Sequence, residues 1–252
     1  MTQPFASTLS RRQLLQSTAL GGAISTLGAA SALAAPNEPV ELDEGGVVLI
    51  QGDSITDAGR NRSRQGQPND AAALGRGYAA MIAARLLGDL PYQKLKVYNR
   101  GISGNKVPDL KARWEQDAVT LKPAVLSILI GVNDIWHKLG GRYDGTVEDY
   151  ERGFAELLAE TREKLPATTL VVCEPFVLRC GAVNEEWFPE FDQRRAAARR
   201  VAEGAGAIFV PFQKMFDEAV KHAPPNYWAG DGVHPTFPGH ALMAATWMKM
   251  VM

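Results

Sequence analysis

Val47-Val48-Leu49-Ile50-Gln51 is an apolar run without alternation, and it stops on Gly52-Asp53-Ser54-Ile55-Thr56. A strand with one wet face alternates apolar and polar residues, whereas a short continuous run suits a strand buried on both faces. Residues 95–99, 124–130, 168–173 and 207–211 read the same way. Between these runs, apolar spacing predicts helices over residues 78–87, 107–119, 146–165 and 191–202, with a last one over 238–250. Strands separated by helices of this length form right-handed βαβ units. The expected fold is therefore a three-layer α/β/α domain with about five parallel strands.

The composition agrees with a folded domain. Of 252 residues, 46% are hydrophobic and 22% charged, which excludes a disordered chain and a multi-span membrane protein. Lys and Arg number 27 against 28 Asp and Glu, so no net field draws the chain to nucleic acid or an anionic membrane. Cys173 and Cys180 could bridge a short loop or stay as two thiols. No CxxC or HExxH pattern occurs, and neither a metal nor another cofactor is expected.

Residues 1–34 carry no acid, and their only charges are the adjacent Arg11 and Arg12. A diluted apolar stretch follows, then Ala32-Leu33-Ala34, a small-x-small pattern of the kind cleaved by signal peptidases. This resembles a twin-arginine export signal, so the expected organisation is a cleaved signal over 1–34, a short leader over 35–45 and a folded domain over 46–252. Cleavage would leave no stable membrane anchor and would shift the formal charge from −1 to −3. The expected location is outside the cytoplasm of a bacterium, periplasmic or extracellular.

In parallel sheets the working groups collect beyond the carboxyl ends of the strands. Four segments are expected there: Gly52-Asp53-Ser54-Ile55-Thr56, Gly101-Ile102-Ser103-Gly104-Asn105, Gly131-Val132-Asn133-Asp134 and Asp231-Gly232-Val233-His234-Pro235. The Ser54 hydroxyl is a weak nucleophile until a base takes its proton. Of the four histidines only His234 has an acid at close, loop-compatible spacing, Asp231, which can hold the imidazole tautomer. Ser54, His234 and Asp231 are thus a candidate triad. The N–H groups of Ser54 and Gly104 and the Asn133 amide are the natural donors to an oxyanion. Asp53 and Asp57 read as capping or bracing groups, His137 as a rim or solvent residue, His240 as a helix residue and His222 as surface.

These four segments, in this order, look like the successive blocks of the GDSL, or SGNH, esterase and lipase family. The resemblance runs from about Gly46 to the end of the chain. It implies a flavodoxin-like sheet and a metal-free serine esterase, with Ser54 as nucleophile, Gly104 and Asn133 in the oxyanion hole, and Asp231 with His234 completing the triad. Ile55 stands where the family name has Leu, a volume-conserving change. The G-x-S-x-G elbow of the other large α/β hydrolase class is absent.

The substrate is less legible. Residues 58–78 read as a long polar loop with Arg60, Arg62, Arg64 and Arg76, either meeting an acidic substrate group or simply solvated. Trp136, Tyr227 and Trp228 could stack on a sugar or wall an acyl-chain cleft. An exported enzyme of this kind resembles the family's carbohydrate O-acetylesterases, so the first expectation is O-deacetylation of a carbohydrate through an acyl-enzyme, with a small-molecule or oligosaccharide ester as substrate. A lysophospholipase or short-chain esterase or thioesterase is the alternative, and a catalytically silent glycan-binding module is the reading from another class.

Overall fold

The computed structural model describes residues 39–252. The expected export signal and the first residues of the leader lie outside them. Five strands, β1 (Val47–Gly52), β2 (Lys96–Asn99), β3 (Val125–Leu129), β4 (Thr169–Cys173) and β5 (Ile208–Val210), form one sheet in the order β2-β1-β3-β4-β5. Every neighbouring pair is parallel. The helices in chain order are α1 (Ser54–Asp57), α2 (Ala71–Leu74), α3 (Tyr78–Asp89), α4 (Val107–Ala112), α5 (Trp114–Asp117), α6 (Val132–Leu139), α7 (Val147–Lys164), α8 (Glu190–Gly204), α9 (Phe212–Ala219), α10 (Pro225–Trp228) and α11 (Phe237–Val251).

Alternate strand residues feed two cores. Val48, Ile50, Val97, Val171 and Val210 pack with Ile82 and Leu86 of α3, Phe212 and Phe216 of α9, and Met243 and Trp247 of α11. Leu49, Leu126, Ile128, Leu170 and Val172 pack on the other face with Leu110, Trp114, Phe154, Leu157 and Val201 of α4, α5, α7 and α8. Both faces being covered is why the strands read as unbroken apolar runs. The three-layer expectation holds, with strand bounds within a residue or two.

α7 illustrates how the sequence specifies its element. A capping box closes its start, with the Thr146 hydroxyl accepting from Asp149 N–H while the Asp149 carboxylate accepts from Thr146 N–H. Tyr150, Phe154, Leu157, Leu158 and Thr161 then fall at helical spacing on the buried side.

Three expectations need correction. The helix expected over 107–119 breaks at Arg113 into α4 and α5, followed by a 3₁₀ turn, Val119–Leu121. The polar stretch 58–78 is no open loop: it contains a 3₁₀ turn (Arg62–Arg64) and α2, stitched by Asn61 N–H to Ala72 O and Arg76 N–H to Ala58 O. The segment Asp231–Pro235 follows no strand; it joins α10 to α11 and is tied to the loop after β4 by Leu178 N–H to Gly232 O and Ala182 N–H to Asp231 O.

The strand order positions the site. From β1 the chain steps to β2 on one side, then returns to β3 on the other, so the segments leaving β1 and β3 diverge and open a crevice. Ser54 leaves β1 and Asn133 leaves β3 at this switch point.

Candidate active site

Gly52 ends β1 and Asp53 caps the single turn α1, its Oδ1 accepting from Ile55 N–H at 3.0 Å. Ser54 is therefore the first residue of that turn. The Ser54 Oγ–H donates to His234 Nε2 at 2.8 Å. His234 Nδ1–H in turn donates to Asp231 Oδ2 at 2.7 Å, which defines the tautomer with Nε2 free to accept. The other carboxylate oxygen, Oδ1, accepts from the backbone N–H groups of Val233 at 2.9 Å and His234 at 2.7 Å. Burial pushes the Asp231 carboxyl up, but the hydrogen bonds from His234 and Val233 outweigh it and hold the group below its ordinary value. The His234 and Asp231 side chains are 42% and 41% exposed, so the relay is open to an incoming molecule.

The donors assemble from three segments. Gly104 adopts φ +84°, a conformation that suits glycine, and a Cβ there would meet only His137 Cε1, at 3.7 Å. The N–H groups of Ser54 and Gly104 donate to no backbone or side-chain acceptor among the described residues. Asn133 lies in the first turn of α6 rather than in a loop, and one hydrogen of its amide goes to Asn105 O at 3.1 Å. These donors lie on the segments that leave the neighbouring strands β1, β2 and β3, and groups of this kind can stabilise charge on a carbonyl oxygen under attack.

One face of α6 carries more of the site. Asn133, Trp136 and His137 sit at i, i+3 and i+4. The Trp136 ring lies 5.7 Å from the His234 ring and 5.7 Å from the Trp187 ring, between the imidazole and the core. His137 is half-buried beside Gly104; burial, then the charges of Arg142 and Lys106, hold it below the ordinary imidazole value.

Two buried carboxyls underlie these turns. Burial pushes Asp53 up to about 7 and Asp134 up to about 6, each partly offset, for Asp53 by the Ile55 N–H and for Asp134 by Arg194. Asp57 braces the second block, its Oδ2 accepting from Ser103 N–H and Oγ–H at 3.2 and 3.3 Å.

The arginine-rich stretch behaves differently from expectation. Arg60 is only 5% exposed, and its Nε donates to Gly101 O at 2.6 Å. Burial pushes its guanidinium down to about 10, and the side chain is spent on the Gly101–Asn105 loop rather than on a substrate anion. Arg64 pairs with Asp70 away from the relay. Tyr227 is half-exposed and edge-on to Trp228, whose indole N–H goes to Ala219 and Ala223 carbonyls at the end of α9. Neither side chain hydrogen-bonds to a triad residue; Trp228 braces α10, and Trp136 is the aromatic ring that touches His234. Cys173 is buried, Cys180 is half-buried, and both are free thiols. Among the described residues no three His, Cys, Asp or Glu side chains converge as a metal-binding group, and no helix is long and apolar enough to cross a membrane.

Sequence reasoning missed Arg113, Asn105 and Trp187. Asn105 stood inside the second block without a role; Arg113 and Trp187 join the site through contacts that no local pattern signals.

Comparison with known proteins matches residues 50–242 to the GDSL-like lipase/acylhydrolase family model. An acetylxylan esterase of Geobacillus stearothermophilus is 33% identical over 216 residues, 84% of this chain and 96% of that protein. A solved structure from Parabacteroides merdae, described as a GDSL-like lipase, is 50% identical with a TM-score of 0.82, covering 84% of this chain and 98% of that one. A catalytic mutant of the Geobacillus stearothermophilus enzyme superposes with a TM-score of 0.74 at 33% identity, over 84% of this chain and 96% of that one.

Proposed function

The chain belongs to the GDSL-like lipase/acylhydrolase family and hydrolyses ester bonds, and from that premise we propose that it removes O-acetyl groups from a carbohydrate through an acyl-enzyme on Ser54. The observation that carries the mechanism is the continuous relay from Ser54 Oγ through His234 to Asp231. His234 Nε2 takes the Ser54 proton as Oγ attacks the acyl carbon. Negative charge gathers on the carbonyl oxygen, where the N–H groups of Ser54 and Gly104 and the Asn133 amide receive it. The imidazolium, stabilised by the Asp231 carboxylate, returns its proton to the departing sugar oxygen. Water then attacks the acetyl-Ser54 ester with His234 again as base, releasing acetate and restoring the hydroxyl.

The substrate class is supported by the likeness to an acetylxylan esterase over nearly that protein's whole length. The Trp136 ring against His234 suits a sugar face. We further infer export, from the acid-free segment with Arg11-Arg12 and Ala32-Leu33-Ala34. Release of acetate from acetylated xylo-oligosaccharides and pectin fragments, set against release of fatty acid from lysophospholipids, tests the substrate assignment. The expected outcome is turnover of the acetylated oligosaccharide, abolished by Ser54→Ala. Preferential release of fatty acid from lysophospholipid would replace the carbohydrate reading, and an active Ser54→Ala variant would overturn the nucleophile.

A further inference from the structure

We propose that Arg113 and Asn105 are positioning residues for the oxyanion hole: Arg113 holds the Asn105 side chain, and the Asn105 carbonyl orients the Asn133 amide toward the acyl oxygen. The inference rests on the reading of Asn133 as an oxyanion donor. The Arg113 guanidinium is a fork with partners on three elements. Its Nε donates to Asn105 Oδ1 at 2.9 Å, and its Nη1 donates to Gln51 Oε1 on β1 at 2.9 Å and to Asp117 Oδ2 on α5 at 2.9 Å. Asp117 is itself buried and also accepts from Arg100 Nη1 at 3.0 Å, while its carbonyl accepts from Gln51 Nε2 at 2.8 Å. The fork is thus fixed by buried partners before it reaches the loop. The break between α4 and α5 falls at Arg113 itself, with φ −119° and ψ 8°.

The other end of the chain of contacts is Asn133 Nδ2–H on Asn105 O at 3.1 Å. A primary amide has two N–H donors, and this contact engages one and leaves the second for the substrate. Reversing the amide would set Oδ1 against the Asn105 carbonyl, two acceptors facing each other, so the Asn105 carbonyl selects the productive orientation. A donor held before the reaction needs no reorganisation when charge develops, so a loosened Asn105 should cost turnover rather than binding. Neither Arg113 nor the Asn105 side chain donates to the acyl oxygen in this scheme; both act through Asn133.

The test compares kcat and KM on p-nitrophenyl acetate for the full chain and for Asn105→Ala, Arg113→Met, Arg113→Lys, Asn133→Ala and the double variant Asn105→Ala/Asn133→Ala. Asn105→Ala keeps the backbone carbonyl and removes only the group that Arg113 holds, at a half-buried position. Arg113→Lys keeps a charge beside Asp117 without the fork. Each single change at 105 or 113 should lower kcat about tenfold or more at a KM within about twofold, a part of the 10²–10³ lost when an oxyanion donor is removed. In the Asn133→Ala background, Asn105→Ala should cost nothing further. If the double variant instead loses the product of the two single losses, or Asn105→Ala keeps wild-type kcat, the positioning role is wrong while the oxyanion assignment stands. If Asn133→Ala itself keeps wild-type kcat, the oxyanion assignment falls and the positioning role with it.

Discussion

Asp231 divides its two carboxylate oxygens between two tasks. One receives the His234 ring at 2.7 Å; the other receives two backbone N–H groups and so fixes the side chain. In Asp231→Asn the amide oxygen can still accept from the backbone, but its N–H₂ then faces Nδ1 and forces the tautomer with hydrogen on Nε2. That nitrogen can no longer accept from Ser54. Steady-state kinetics should show kcat lower by on the order of 10⁴ with the protein folded. A loss below about tenfold would remove Asp231 from the relay. Ser54, His234, Asp231 and Asn133 were all legible from residue type, order and expected strand ends. Arg60 was not: its polar, Arg-rich surroundings suggested a substrate contact, and only the distant Gly101 carbonyl shows where its charge goes.

Among the elements, the connection between α10 and α11 delivers the acid and base, and it depends on backbone packing. Gly232 has φ +84°, and a Cβ there would lie 2.4 Å from Cys180 O and 2.5 Å from Leu178 O. Both are backbone atoms, so neither can swing aside. Gly232→Ala combines left-handed strain of about 1–3 kcal/mol with that collision, and it moves the two residues that flank it in the relay. Thermal unfolding should show a lower Tm, and kcat should fall on the order of 10². Gly66→Ala, exposed with no atom within 4 Å of its added Cβ, is the matched control and should change neither. Retained kcat in Gly232→Ala would mean that the connection tolerates displacement. The expectation that all four blocks leave strands failed here, because a loop whose carbonyls accept from the N–H groups of Leu178 and Ala182 is held in place without a strand of its own.

At the scale of the whole molecule, His240 joins the last helix to the third. It is 9% exposed, and its Nδ1 accepts from Tyr78 N–H at 3.1 Å. Burial, then the charge of His234, pushes it from 6.5 down to about 4, so the fold holds a neutral imidazole that the unfolded chain would protonate. The unfolded state binds more protons between those values, and His240 therefore costs stability as pH falls from about 6.5 to about 4, on the order of 3 kcal/mol in full. Asp53 and Asp134 work with the opposite sign, since their raised values favour the fold at low pH and lose that contribution as pH rises through about 6 to 7. Comparing Tm of the parent and His240→Asn across this range isolates the histidine. The difference should move against the parent on acidification, and a constant offset would show that His240 does not titrate with folding. The sequence alone determined the layers, the five strands and the three residues that the fold joins by hydrogen bonds, Ser54, His234 and Asp231, because continuous apolar runs and glycine-rich strand ends are local consequences of burial and turn chemistry. Tertiary structure decided which arginines are spent inside, that Asn133 opens a helix, that Trp136 backs His234, and that Arg113 reaches Asn105 and Gln51. Those facts depend on hydrogen bonds between residues far apart in the chain, such as Arg113 with Gln51 and Asn133 with Asn105. Such pairs form only once the sheet order has brought the ends of β1, β2 and β3 together.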